Sequence, residues 1–113
     1  MTAQELDGRG WKASIGGRVE FLPYPDYRID ILEVVDCRRG NDPRVRYTYQ
    51  LFSVIQGSVW GYHRDPRGHP DMPDHFHLNR DSRTPLTASL YLAEVIEHAY
   101  TTLGSMHEIK HWR

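Results

Sequence analysis

The sequence predicts an α+β fold: a small antiparallel sheet of about 4–5 strands with one C-terminal helix packed on one face. Two stretches carry the sheet. Residues 28–37 and 44–55 are rich in the β-branched and aromatic residues that suit a pleated, half-buried surface, and their side chains alternate between two faces. The third observation is a helical stripe of Leu86, Leu90, Ala93, Ile96, Tyr100 and Leu103, broadened by Leu92, Val95 and Ala99. A chain of 113 residues has room for one domain; two would each fall below the size that holds without staples.

Taken in order, residues 1–10 are polar and glycine-bearing and read as a flexible end. Residues 11–15 and 18–22 flank Gly16-Gly17, which predicts a β-hairpin. Pro23 and Pro25 then interrupt the ladder, because neither can donate to it. Within residues 28–37, Ile29, Ile31, Glu33, Val35 and Cys37 share one face, and residues 38–43 read as a turn. The alternation of Val45, Tyr47, Tyr49 and Leu51 changes phase at Phe52 and Val54, which predicts a bulge near residues 51–52. Gln56-Gly57 should turn the chain into a strand over 58–63, with Val54 facing Val59 and Leu51 facing Tyr62. Residues 64–83, holding Pro66, Pro70 and Pro73, read as one loop of about twenty residues, a length that usually marks function. Thr84 as N-cap, Pro85 at the first helical position and Gly104 as the stop bound the helix. Residues 105–113 add one more helical turn.

The formal net charge of −1 excludes a uniformly cationic nucleic-acid coat. The charges are nevertheless uneven. Residues 1–37 carry seven acids and four bases, a balance of −3, and residues 84–113 carry three acids and two bases, −1. Residues 38–83 carry eight arginines and five aspartates, +3, together with four of the seven histidines. Only Lys12 and Lys110 among the fourteen bases are lysines, and arginine offers a planar fork for phosphate or carboxylate that lysine lacks. One cysteine, Cys37, cannot form an internal disulfide and reads as an inert, half-buried thiol. With no signal peptide and no apolar run long enough for a membrane span, the expected compartment is cytoplasmic.

The chemistry-bearing string runs from Tyr62 to Leu78 and holds His63, His69, His75 and His77. If His75-Phe76-His77 is extended, both imidazoles project to one side. An acid–base reading has one histidine take a proton from an RNA 2′-hydroxyl while another protonates the departing 5′-oxygen. An arginine (Arg64, Arg67 or Arg80) holds the charged phosphorane. That reading needs no cofactor. A metal reading uses His75 and His77 with His69, His63 or an aspartate, leaving one position open to water. A third reading is a solvated, proline-stiffened loop whose histidines contact backbone carbonyls. Spacing leaves all three open. Arg44 and Arg46 can hold phosphate, although solvated arginines on turns and strand faces are commoner.

Arg46-Tyr47-Thr48-Tyr49, the aromatic strand end Tyr62 with Asp65 shortly after, and the closing His75-x-His77 before a helix together resemble the TumE family of toxin–antitoxin proteins. The resemblance covers roughly residues 44–103. It implies a small α+β toxin acting on RNA or translation, partnered by a helix-turn-helix antitoxin, with Tyr62, Asp65, His75 and His77 as its marked residues. Family members commonly show Arg-Tyr-Asp-Asn where this chain has Gly61-Tyr62-His63-Arg64-Asp65, so His63-Arg64 is an insertion before Asp65.

The leading expectation is therefore a metal-independent ribonuclease toxin of the hydrolase class. Its catalytic candidates are His75, His77, Asp65, Tyr62 and Arg64, and its substrate-binding candidates are Arg67, Arg80, Arg44 and Arg46. The expected partners are RNA or the ribosome, the antitoxin and a second copy of the chain, with no membrane. The alternatives are a non-catalytic protein- or nucleic-acid-binding module and a metal site at His69, His75 and His77.

Overall fold

The computed structural model describes residues 2–6, 8–78 and 82–106 in full, and 107–111 as backbone. Across them seven antiparallel strands pair in chain order, and one helix covers part of one face. They are β1 (Thr2–Glu5), β2 (Lys12–Glu20), β3 (Tyr27–Asp36), β4 (Arg44–Ser53), β5 (Gly57–Arg64), β6 (Asp74–His77), β7 (Thr84–Pro85) and α1 (Leu92–His111).

The sheet exceeds the 4–5 strands expected because short, weakly patterned segments join it at both edges. Within the segment read as a flexible end, Thr2–Glu5 pair with β2, all four residues exposed. At the other edge Asp74–His77 and Thr84–Pro85 pair inside what read as a continuous loop. The Gly16-Gly17 hairpin does not form. Both glycines lie inside β2 with Gly16 opposite Leu32 and Gly17 opposite Ile31, and neither has the positive φ a tight turn would use.

β3 and β4 form the centre. Ile29, Ile31, Tyr47, Tyr49, Leu51 and Trp60 point to one side and are buried under α1 through Val95, Ala99 and Leu103. The bulge falls where the phase change put it, between Leu51 and Phe52. The β4–β5 register differs from expectation: Leu51 faces Trp60 and Tyr49 faces Tyr62, while Val54 sits in the turn. Ser53 Oγ accepts the amides of Ile55 and Gln56 at 3.2 and 3.1 Å, which makes a three-residue turn ending on Gly57 at φ 87°.

The helix begins at Leu92 rather than after Thr84. The backbone of Thr84 and Pro85 is committed to β6, and the Leu86 amide donates to the Asp74 carbonyl at 2.9 Å. The Glu94 carboxylate instead accepts the Tyr91 amide at 3.1 Å, one half of a capping box. This rotates the stripe, so Ala93 and Tyr100 are exposed and Leu92, Val95, Ile96, Ala99, Leu103 and Met106 face the sheet. Gly104 does not stop the helix, which runs through it to His111. Cys37 lies just beyond β3 and is exposed, not half-buried. Among the described residues no helix is long and apolar enough to cross a membrane.

Candidate functional site

Strand alternation divides the string from Tyr62 to His77 between the two faces of the sheet. Phe76, opposite Tyr62, faces the helix, as does Asp74, opposite Arg64. His63 and His75 are direct cross-strand partners on the other face, and His77 lies two residues beyond His75, opposite Gly61. Ring centroids are 5.5 Å apart for His63–His75 and 4.6 Å for both His63–His77 and His75–His77. One ring nitrogen from each of the three lies within 4.8 Å of the others.

His75 and His63 are each held by a specific partner. His75 is 1% exposed, and its Nδ1 stands 3.1 Å from the Met72 carbonyl. A carbonyl can only accept, so Nδ1 carries the hydrogen and Nε2 of the neutral ring keeps its lone pair. The Gln50 amide donates to the Trp60 carbonyl at 2.7 Å, which places its Oε1 3.5 Å from His63 Nε2. A Cβ at position 61 would come within 2.2 Å of Gln50 Oε1 and 2.9 Å of His63 Nε2, so glycine leaves the space these two side chains occupy. Burial, then the neighbouring His77 and His75, push the His63 pKa down to about 4. A groove of about 400 Å³ opens beside the cluster, lined by Gln50, Ser58, Val59, Trp60, His63, His77 and Leu78.

The other expected residues separate into several groups. His69 touches the cluster from outside, its ring 5.0 Å from that of His75. Asp65 organises the loop: its carboxylate accepts the Gly68 amide at 3.1 Å and its carbonyl the His69 amide at 2.9 Å, and the Gly68 bond leads in lowering its pKa. Arg46 lies 4.0 Å from Asp65 and is 59% exposed, on the histidine face by alternation from Thr48, the partner of His63. Tyr62 is on the helix face, 2.8 Å from His98 Nδ1. Arg64 is there too, bonded to Asp74 at 3.1 Å and to the Arg44 carbonyl at 2.9 Å. Arg44 is 4% exposed and bonded to Asp42 and Tyr49. Arg67 is exposed in the loop, and Arg80 lies outside the described residues. The cluster thus keeps His75 and His77, takes His63 as its third member, and has Arg46 as the expected arginine on its face.

Gln50 and Ser58 had no signal in the sequence reading, because their place at the groove depends on the β4–β5 register. His98 had only a weak one. It stacks on Trp60 with centroids 4.4 Å apart, and burial lowers its pKa. The folded state therefore resists a proton that the unfolded chain accepts below about pH 6.5. Stability should fall as pH drops from 7 to 5, and His98→Gln should make that slope shallower in urea unfolding, leaving the share that His63 contributes. An unchanged slope would assign the acid sensitivity elsewhere.

No protein-family model, curated protein or solved structure matches the chain.

Proposed function

We propose that this chain is the toxin of a toxin–antitoxin pair, acting on RNA at His63, His75 and His77 and restrained by a helix-turn-helix antitoxin. The observation that carries the reading is the convergence of three imidazole nitrogens within 4.8 Å on the sheet face away from the helix, beside an open groove. Arg46 on the same face supplies a cation for phosphate. In the reaction a base at the cluster takes the proton of a ribose 2′-hydroxyl, and the oxygen attacks the adjacent phosphorus. The bond to the 5′-oxygen breaks as that oxygen is protonated, leaving a 2′,3′-cyclic phosphate and a 5′-hydroxyl. Arg46 stabilises the charge that builds on the phosphoryl oxygens.

Purified wild-type protein should cut total bacterial RNA into fragments with 5′-hydroxyl ends. His77→Ala should slow this by about 10²–10⁴-fold while the protein stays folded, and the His75/His77 double alanine should lose growth arrest on expression. RNA bound but left intact by folded wild type would point instead to a binding module. Intact, unbound RNA would end the proposal.

A further inference from the structure

One ring nitrogen from each of His63, His75 and His77 lies within 4.8 Å of the other two. A tetrahedral ion bound to imidazole at about 2.0–2.1 Å sets its ligand nitrogens about 3.3–3.4 Å apart, which small ring rotations can reach. We infer that His63, His75 and His77 bind one divalent transition-metal ion of the zinc class. The inference goes beyond the RNA reading and does not rest on it, since the ligand set is the same whatever the substrate.

Further observations support the ion. The Nδ1–H of buried His75 is donated to a backbone carbonyl, an arrangement that fixes the tautomer and orientation of a metal-ligating ring. Gly61 leaves the space through which His63 approaches the strand carrying His77. All three candidate ligands are imidazole nitrogens, a donor type that suits zinc, copper and nickel rather than magnesium or calcium. His63 and His77 also line the groove, so a fourth coordination position can open there to water, with Gln50 and Ser58 beside it. Zinc-bound water loses its proton near neutral pH, which would give the site a hydroxide and so a base independent of any free imidazole.

The test uses the full chain, freed of metal with EDTA and dialysed, then titrated with Co²⁺ and Zn²⁺ by visible absorption and calorimetry. One equivalent of Co²⁺ should bind with the intense d–d bands of a four-coordinate ion, and Zn²⁺ should displace it and raise the thermal midpoint. His77→Ala, at a half-exposed position, should weaken binding about 100-fold or more with the apo circular dichroism spectrum unchanged. Gly61→Ala, which displaces the ends of His63 and Gln50, should weaken it about 10-fold. His98→Gln, on the opposite face, should leave affinity unchanged. Absence of one-equivalent binding by folded wild type overturns the inference, as does binding that survives both His77→Ala and His63→Ala. RNA cleavage in EDTA without metal binding would sink this inference and leave the RNA reading standing; metal binding with uncut RNA would do the reverse.

Discussion

Asp74→Ala should destabilise the protein by about 2–4 kcal/mol in urea unfolding at pH 7, because it removes a buried carboxylate on which Arg64, Tyr47 and Ser89 converge. Asp74 is 7% exposed and takes a fork from Arg64, with Nε on Oδ1 at 3.1 Å and an Nη on Oδ2 at 3.3 Å. It also accepts the hydroxyls of Tyr47 at 2.8 Å and Ser89 at 3.2 Å. Alanine removes both oxygens, leaving Arg64 with Asp42 at 3.5 Å and the Arg44 carbonyl, and taking the acceptor from the buried Tyr47 hydroxyl. Asp74→Asn keeps the shape and one acceptor, so its loss should be clearly smaller. A loss below about 1 kcal/mol for the alanine variant would mean that water replaces the carboxylate, and that the network is not what pins β6. Pinning matters for the site: Asp74 leads directly into His75, and the Arg64–Asp74 pair sits next to the His63–His75 pair in the same ladder.

Leu51→Ala should cost about 2–5 kcal/mol, the range for emptying a buried leucine position whose surroundings relax only in part. Leu51 is 0% exposed, lies between Ile29 and Trp60 in the ladder, and sits at the edge of the bulge. The matched control is Val54→Ala a few residues on, which is 57% exposed in the turn and should change stability by less than about 0.5 kcal/mol. Equal effects at the two positions would contradict the burial pattern.

What the sequence disclosed depended on whether one element or two were needed to define it. β3, β4 and the bulge were legible as elements because alternation and its change of phase run along single strands. Both faces of β3 mix apolar and acidic residues, however, and did not say which one is buried. The β4–β5 hairpin was legible but its register was not, since a hydroxyl at Ser53 gathers two amides and lengthens the turn. Asp74–His77 contains only one apolar residue and gains its strand identity from β5. For that reason the common side of His75 and His77 followed from a conditional argument on one segment, whereas selecting His63 as the third ring required the cross-strand pairing. Arg64 was a candidate from its place in the string and Tyr62 from the family resemblance, and alternation sends both to the helix side. The helix start failed for a related reason: Thr84 and Pro85 are good capping residues, but their backbone groups had a better use beside β6.

The ladder order follows the chain order from β1 to β7, and the helix comes last. During synthesis the ribosome therefore completes the apolar surface of Tyr47, Tyr49, Leu51 and Trp60 before it releases the segment that shields it. Until residues 92–106 emerge and dock, that surface is open to solvent and to neighbouring nascent chains, which makes this interval the one in which a chaperone has most to protect.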